Sequence, residues 1–488
     1  MIDIQKTVVM MPKSVLQSLI LILLISGCNQ DTPTLPWTEH ASLTVKPGSR
    51  IIEYTDGTPF LWIGCTSWGM TEWLDRRQVG LYLDDRQSKG MNVVQLCLFW
   101  GKRTDYPTKF YLNPENAYGH RAFVEKNGLP DVSHPAVVKG GSPVHPNDYW
   151  DHVDFCLHAI KERGMYAAVL PIWGRRYVNA THEGQSARVF TPENIKSYGE
   201  FLGERYGNEP NIIWVLGGDV QATFGGDFTG SYRLLAEGLA KGVTQHAANW
   251  NMDDPIWDSL LLTYHPDGDP MLNSSNWFHH DPWLDFNMIE TYKSRDMVVK
   301  AIKQDRGLTP VKPTILGEGQ YEGTTDPNGA PAKPINVRRQ AYQAFFAGAA
   351  GFTYGGAFDQ EGNGPLFSPA NNWEHLLQWP GANQMRYLRK FLQDNKWWNW
   401  QPLEGIFVHN KGEGDLEKLA VKSANKILVY FPDTSSCTIK NVDGKSISWF
   451  RPSTGAQTEQ TAWQGNTFTP PQEWNDAVLI IERKTGTY

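Results

Sequence analysis

The segment NIIWVLGGD, residues 211–219, decides the fold: a run of large apolar side chains stops abruptly at two glycines and an aspartate. No polar residue interrupts 212–216, so both faces of this strand are expected to be buried, as in a parallel sheet. Upstream, Thr191-Pro192-Glu193 offers an N-cap, a proline at the first helical position and an acid in the first turn. Ile195, Tyr198 and Leu202 then supply an apolar helical stripe, and Leu234, Leu235, Leu239 and Val243 supply another downstream. Helices flanking a short buried strand are the grammar of a parallel α/β sheet.

Working outward, the same unit recurs. Strands are predicted at 60–64, 92–99 and 166–170 before this segment, and at 260–264, 284–289, 313–316 and 351–354 after it. A small-residue helix is predicted over 337–350. Eight alternating units make a (β/α)8 TIM barrel, an α/β fold. A long Gly, Pro, Asn and Tyr-containing insertion, 101–146, follows the second strand; loops of that length inside compact domains are usually functional or disordered. The stretch LTVKPGSRIIEYTDGTPF, 43–60, alternates around two turn signals and predicts an opening hairpin. Past Trp397-Trp398-Asn399-Trp400 the grammar changes to short alternating runs at 426–431, 446–450 and 477–481, which predicts a C-terminal antiparallel β-sandwich. The expected organisation is a signal segment over 1–28, a tether over 29–42, a catalytic barrel over 43–400 and a sandwich over 401–488. The sandwich is expected to pack as a buttress on the barrel, with the three tryptophans in the joint.

The N-terminus carries an apolar run over 16–25, broken by Gln17 and Ser18, that ends in Ile25-Ser26-Gly27-Cys28. The run is short for a bilayer span and reads as a secretory h-region. It resembles a bacterial lipoprotein signal, which implies lipidation of Cys28, anchoring in the cell envelope and display at the outer membrane, on its periplasmic or surface face. Among the other cysteines, Cys65, Cys97, Cys156 and Cys437, no metal-ligand spacing occurs. A net charge of −7 without a long basic run argues against nucleic acid as a partner.

Barrel active sites form at the C-terminal ends of strands. Asp219 and Glu318 stand there, after the fourth and seventh strands, nearly across the barrel mouth from each other. Two carboxyls on opposite sides of a ligand are what glycoside cleavage needs: one protonates the departing oxygen while the other attacks the anomeric carbon or activates water. Alone, Asp219 reads equally as a turn aspartate and Glu318 as a solvated strand-end charge; the pair at these two positions favours chemistry. Glu322 is assigned substrate contact or support of the nucleophile. Trp68, Trp100, Trp173 and Tyr354 lie where aromatic platforms for sugars belong, although core packing accounts for each as well. Of these, Trp68, Trp173 and Tyr354, with His265, Glu290 and Glu322, form the expected substrate-binding set. Arg175 and Arg176 suit a uronate or sulfate, or simply solvate a surface. His279-His280-Asp281 lacks the spacing that converges on one ion, so no metal and no cofactor is expected.

Together FLWIGCTSW, DDRQSKGMNVVQL, NIIWVLGGD, NWFHHDPWLDFNMIE, PTILGEGQYEG and WPGANQMRYLRKFL resemble the apiosidase-like glycoside hydrolases, whose barrel carries a collagen-binding-type β-sandwich. The resemblance runs from about Leu43 to the end. It implies a retaining glycosidase, exo-acting on plant or algal cell-wall polysaccharide or derived oligosaccharide, with Asp219 as general acid/base and Glu318 as nucleophile. Two departures stand out: Cys65, where relatives often place an acid, and Glu290-Thr291-Tyr292-Lys293 at the sixth strand end. Both positions are expected to face the pocket, so the substrate can differ from apiose. The alternative is a catalytically inactive, lipid-anchored carbohydrate-binding protein. Collagen adhesion has no physical support in 401–488.

Overall fold

The computed structural model describes residues 35–483 apart from 102, 106–108, 111, 182–187, 269–272, 293, 326–328, 357–372, 424, 443 and 463–464. The signal segment, Cys28 and Lys293 therefore lie outside the described residues. Among the described residues no helix is long and apolar enough to cross a membrane.

Eight parallel strands build the central sheet: β1 (Trp62–Thr66), β2 (Val93–Cys97), β3 (Tyr166–Leu170), β4 (Ile212–Gly217), β5 (Leu262–His265), β6 (Asn287–Glu290), β7 (Thr314–Glu318) and β8 (Gly351–Tyr354). Their order is β5-β4-β3-β2-β1-β8-β7-β6. The two ends meet through Asp285, whose N–H donates to the Leu262 carbonyl at 3.0 Å and whose carboxylate accepts from Leu262 N at 2.7 Å. The Thr263 hydroxyl donates to the Phe286 carbonyl at 2.6 Å. The sheet thus closes as a (β/α)8 barrel. Because Asp285 turns its carboxylate into this seam, β6 is shorter than the run 284–289 suggests.

Every residue of β1, β2 and β3 is buried, as strands covered by helices outside and packed side chains inside must be. The helix Arg76–Ser88 starts on an Asp75 capping box, in which Asp75 accepts from Gln78 N. The helix Ile195–Tyr206 corrects one expectation: Asn194, not Thr191, is its N-cap, and the Asn194 side chain accepts from Thr191 N at 2.8 Å, closing the preceding turn. Inside the barrel a polar relay crosses the sheet. Trp62 Nε1 donates to Thr353 Oγ1 at 3.0 Å, Thr353 Oγ1 donates to Gln95 Oε1 at 3.0 Å, and Gln95 Nε2 donates to the Gly317 carbonyl at 3.1 Å.

The C-terminal part is antiparallel: a five-stranded sheet in the order Gln401–Pro402, Leu419–Ser423, Lys426–Phe431, Ala477–Arg483, Gly444–Phe450, faced by a three-stranded sheet. Its central strands are buried on both faces. Ile427, Val429 and Phe431 enter the sandwich core, while Leu428 and Tyr430 join the barrel core, an alternation of period two that makes the strand a joint. Here Tyr430 stacks on Tyr342 of the helix Pro334–Ala347 at 5.1 Å, and Trp397 and Trp400 meet Phe345 and Phe346. Arg338 grips Asp476 with two bonds of 2.8 and 2.6 Å, both side chains almost fully buried.

Candidate active site

The end of β4 is strained. Gly217, Gly218 and Asp219 have φ of 89°, 112° and 51°, three successive residues in left-handed space. A Cβ on Gly217 would sit 2.3 Å from the His265 carbonyl oxygen, and one on Gly218 3.0 Å from Gly174 N. Only glycine fits at 217 and 218, and an aspartate held at positive φ beyond them is the kind of strain stored at functional sites. The turn brings Asp219 to a cavity of about 520 Å³ at the C-terminal ends of the strands, shared with Asp267, Glu290 and Glu318. Trp68, Trp173, Arg175, Gly268, Thr291, Tyr292 and Ser294 complete its walls.

His265, the last residue of β5, binds the two sides together. Its Nε2 lies 3.2 Å from Glu318 Oε2, and its Nδ1 accepts from Asp219 N at 3.4 Å. Nδ1 also lies 3.0 Å from the Pro266 carbonyl, so a proton on Nδ1 serves that oxygen whereas one on Nε2 faces Glu318, and the tautomer decides which of the two the ring supports. Trp68 donates its Nε1 hydrogen to the Tyr321 hydroxyl at 2.9 Å, and Tyr321 is hydrogen-bonded to Glu318. The Trp68 ring stands edge-on to His265 at 5.2 Å and to Trp173 at 5.1 Å, so the aromatic wall also fixes the histidine.

Four carboxyls share this space with one guanidinium. Arg175 Nη1 lies 3.1 Å from Asp219 Oδ2 and 3.7 Å from Asp267 Oδ2. Burial, together with the Asp267 and Glu318 charges, pushes the Asp219 carboxyl up to about 7 against the opposing pull of Arg175. Burial raises Asp267 as well, and it raises Glu290 far above the usual carboxylate range, helped by Glu318 and Asp219. Two sets are spaced closely enough to hold a cation: His265, Glu290 and Glu318, and Asp219, Asp267 and Glu290, with ligand atoms within 4.8 Å of one another in each.

Of the residues expected from sequence, Asp219, Glu318, Trp68, Trp173 and Glu290 line the cavity, and His265 supports it from beneath. Others are placed elsewhere. Glu322 accepts from the Tyr354 hydroxyl at 2.7 Å and from Gly381 N at 3.0 Å, so both side chains of that pair are buried in the joint between β7, β8 and the helix Pro380–Asp394. Neither lines the cavity. Cys65 points away from it too: Gly64 occupies the barrel interior against Thr353 and Trp62, so its neighbour faces Tyr82 and Arg86 outside, where burial holds the thiol up at about 11. Trp100 lies against the Arg176 guanidinium at 4.4 Å, which itself donates to the Gly101 carbonyl at 2.6 Å. Arg175 is engaged by aspartates rather than free for an anion. His279 contacts Asn287 and the Pro310 carbonyl, while Asp281 pairs with Arg233, so that trio does not converge.

Sequence reasoning missed Asp267 and Tyr321. Both follow strand ends by two or three residues, in HPDGD and GEGQY, and that position was the available signal.

Comparison with known proteins agrees with this architecture. Residues 46–399 match the family described as "Apiosidase-like, catalytic domain", and residues 402–482 match "Putative collagen-binding domain of a collagenase". None of the curated proteins matches significantly. Among solved structures, one described as a glycoside hydrolase is 26% identical, with a TM-score of 0.76 over 93% of this chain and 99% of that one. A glycoside hydrolase family 5 protein from Bacteroides vulgatus ATCC 8482 is 25% identical, with a TM-score of 0.76 over 94% of this chain and 96% of its own. With a family match that spans the whole barrel, the chain belongs to the apiosidase-like family and is a glycosidase.

Proposed function

We propose that this enzyme is a retaining, exo-acting glycosidase of plant or algal cell-wall glycans, with Asp219 as general acid/base and Glu318 as nucleophile. One observation carries the reading: two carboxyls meet in one cavity with different supports. Asp219, raised to about 7, can hold a proton at neutral pH, whereas Glu318 accepts a hydrogen bond from Tyr321 and has the His265 ring 3.2 Å away. In the first step a Glu318 oxygen bonds to the anomeric carbon as the glycosidic C–O bond breaks, and Asp219 gives its proton to the leaving oxygen. In the second, Asp219 takes a proton from water, whose oxygen displaces Glu318. Trp68 and Trp173 offer apolar faces for the ring.

The test is a screen of pectic, hemicellulosic and algal oligosaccharides with product analysis. Asp219→Asn and Glu318→Gln should each bring hydrolysis to background with unchanged melting temperature, and proton NMR should show the first-released sugar with the anomeric configuration of the substrate. A fully active Glu318→Gln enzyme would refute the assignment; an inverted first product would refute retention. Release of mid-chain fragments rather than terminal sugars would refute exo action.

Lipidation of Cys28 and placement at the outer membrane belong to the same proposal, supported by the apolar run and Ile25-Ser26-Gly27-Cys28. Cys28→Ser should move the protein from the membrane to the soluble fraction. Membrane retention of that variant would refute the anchor.

A further inference from the structure

Glu290 is one of two cavity carboxyls, with Asp267, that the double displacement leaves without a task. It is the last residue of β6 and pairs in register with Glu318 across a bulge after Ile289, so two acids stand side by side on neighbouring strands at the cavity floor. Like charges in such cross-strand positions oppose folding unless something else uses them. Its side chain is 3% exposed yet borders the cavity, and its Oε2 makes no hydrogen bond among the described residues. His265 Nδ1, 3.5 Å away, lies closer to the Pro266 carbonyl, at 3.0 Å, and to Asp219 N, at 3.4 Å. The loop opposite leaves room for this carboxyl: a Cβ on Gly268 would press on Glu290 Oε1 at 3.2 Å. A buried polar oxygen without a partner, facing a ligand cavity, is an unfilled acceptor or, when protonated, an unfilled donor.

We propose that Glu290 binds a hydroxyl of the sugar ring seated over Glu318 and, with Asp267, selects neutral or amine-bearing sugars over uronates. The inference rests on the glycosidase reading of this cavity. The charge balance supports the selectivity: even with protons on Asp219 and Glu290, two further carboxyls face one guanidinium, and that guanidinium is held between Asp219 and Asp267. A sugar carboxylate would enter against this surplus with no free cation among the described lining residues. A ring hydroxyl, in contrast, can donate to ionised Glu290 or accept from its protonated form.

The test separates binding from turnover by using Tris, a protonated amine bearing three hydroxymethyl arms, as a probe for a polyhydroxylated cation. Calorimetry and thermal shift near neutral pH, with choline chloride at matched ionic strength as the blank, should show Tris binding to the wild type and none of galacturonate. Glu290→Ala should weaken Tris about 10- to 100-fold, the usual range for losing a hydrogen bond to a charged group, and Glu290→Gln should recover part of it. On the oligosaccharide found active, Glu290→Ala should raise KM more than it lowers kcat, again with recovery in Glu290→Gln. Failure of the wild type to bind Tris, equal binding by Glu290→Ala, or tight galacturonate binding would each overturn the proposal. So would Tris-independent stoichiometric binding of Ca²⁺ that depends on Glu290, which would make the cluster a cation site. Glu290→Gln as inactive as Glu318→Gln, with Tris binding intact, would assign Glu290 to the chemistry and equally overturn it. Glu290-dependent Tris binding without hydrolysis of any glycan would defeat the glycosidase roles and, with them, the placement of a scissile sugar over Glu318, leaving Glu290 only as a hydroxyl-binding group.

Discussion

Replacing Asp267 with asparagine should shift the alkaline limb of the pH–activity profile toward acid. A general acid must carry its proton, so kcat/KM should fall above about 7, where Asp219 loses it. Asp267 helps to hold that proton on, because its carboxylate and that of Asp219 approach within 4.8 Å. Two unit charges at that distance repel by about 3.5 kcal/mol at an effective dielectric near 20. Arg175 lies between the two acids, and Asp267 keeps 22% of its side chain exposed. Screening by both reduces the effect to about half, or roughly one pH unit. Asp267→Asn should therefore bring the limb down by about one unit, and Arg175→Gln, which removes the opposing pull, should raise it by at least as much. The assay is kcat/KM against pH on the active oligosaccharide. A glycoside whose leaving group needs no protonation serves as control and should lose the limb in the first step. If the limb stays put in both variants, Asp219 is not the titrating acid and the electrostatic account fails.

Two further outcomes follow from the packing. Asp476→Ala leaves Arg338 buried without its bidentate partner, which costs about 3 to 5 kcal/mol; spread over roughly 450 residues melting together, that lowers Tm by about 3 to 5 °C, and a separate early transition of the sandwich in calorimetry would show instead that the two parts melt independently. Gly217→Ala places a methyl 2.3 Å from the His265 carbonyl and must move the Asp219 turn, so kcat should drop by about 100-fold or more with the substrate still bound, and unchanged kcat would disprove the tight fit.

Much of the barrel was legible because turn residues bound its strands: 166–170, between Gly164 and Pro171, and 351–354, before Gly355, match β3 and β8. The sixth strand was not, since Leu284, Asp285 and Phe286 read as one apolar run although the Asp285 carboxylate leaves it to close the seam. Asp219 and Glu318 could be placed because strand ends aim at the barrel mouth. Cys65 was misplaced because a strand buried on both sides shows no alternation, so its inward parity cannot be read from hydrophobicity; Gly64, fitted against Thr353, sets it. Glu322 and Tyr354 followed the rule of strand ends, yet each found the other behind the cavity. Asp267, Tyr321 and the grip of Arg175 depend on loop paths, which the spacing of residues does not encode.

The relay from Trp62 through Thr353 and Gln95 to the Gly317 carbonyl determines more than the filling of the barrel. It acts as a height gauge for the neighbouring Glu318. A slip of β7 along its axis would strand Gln95 Nε2 and propagate to Thr353 and Trp62, all essentially inaccessible to water, at about 1 to 3 kcal/mol for each orphaned group. The Glu318 oxygen proposed to attack is thereby held from the opposite wall, independently of the loops that shape the rim. Such loops can drift toward new sugars while the reaction plane stays where the relay puts it.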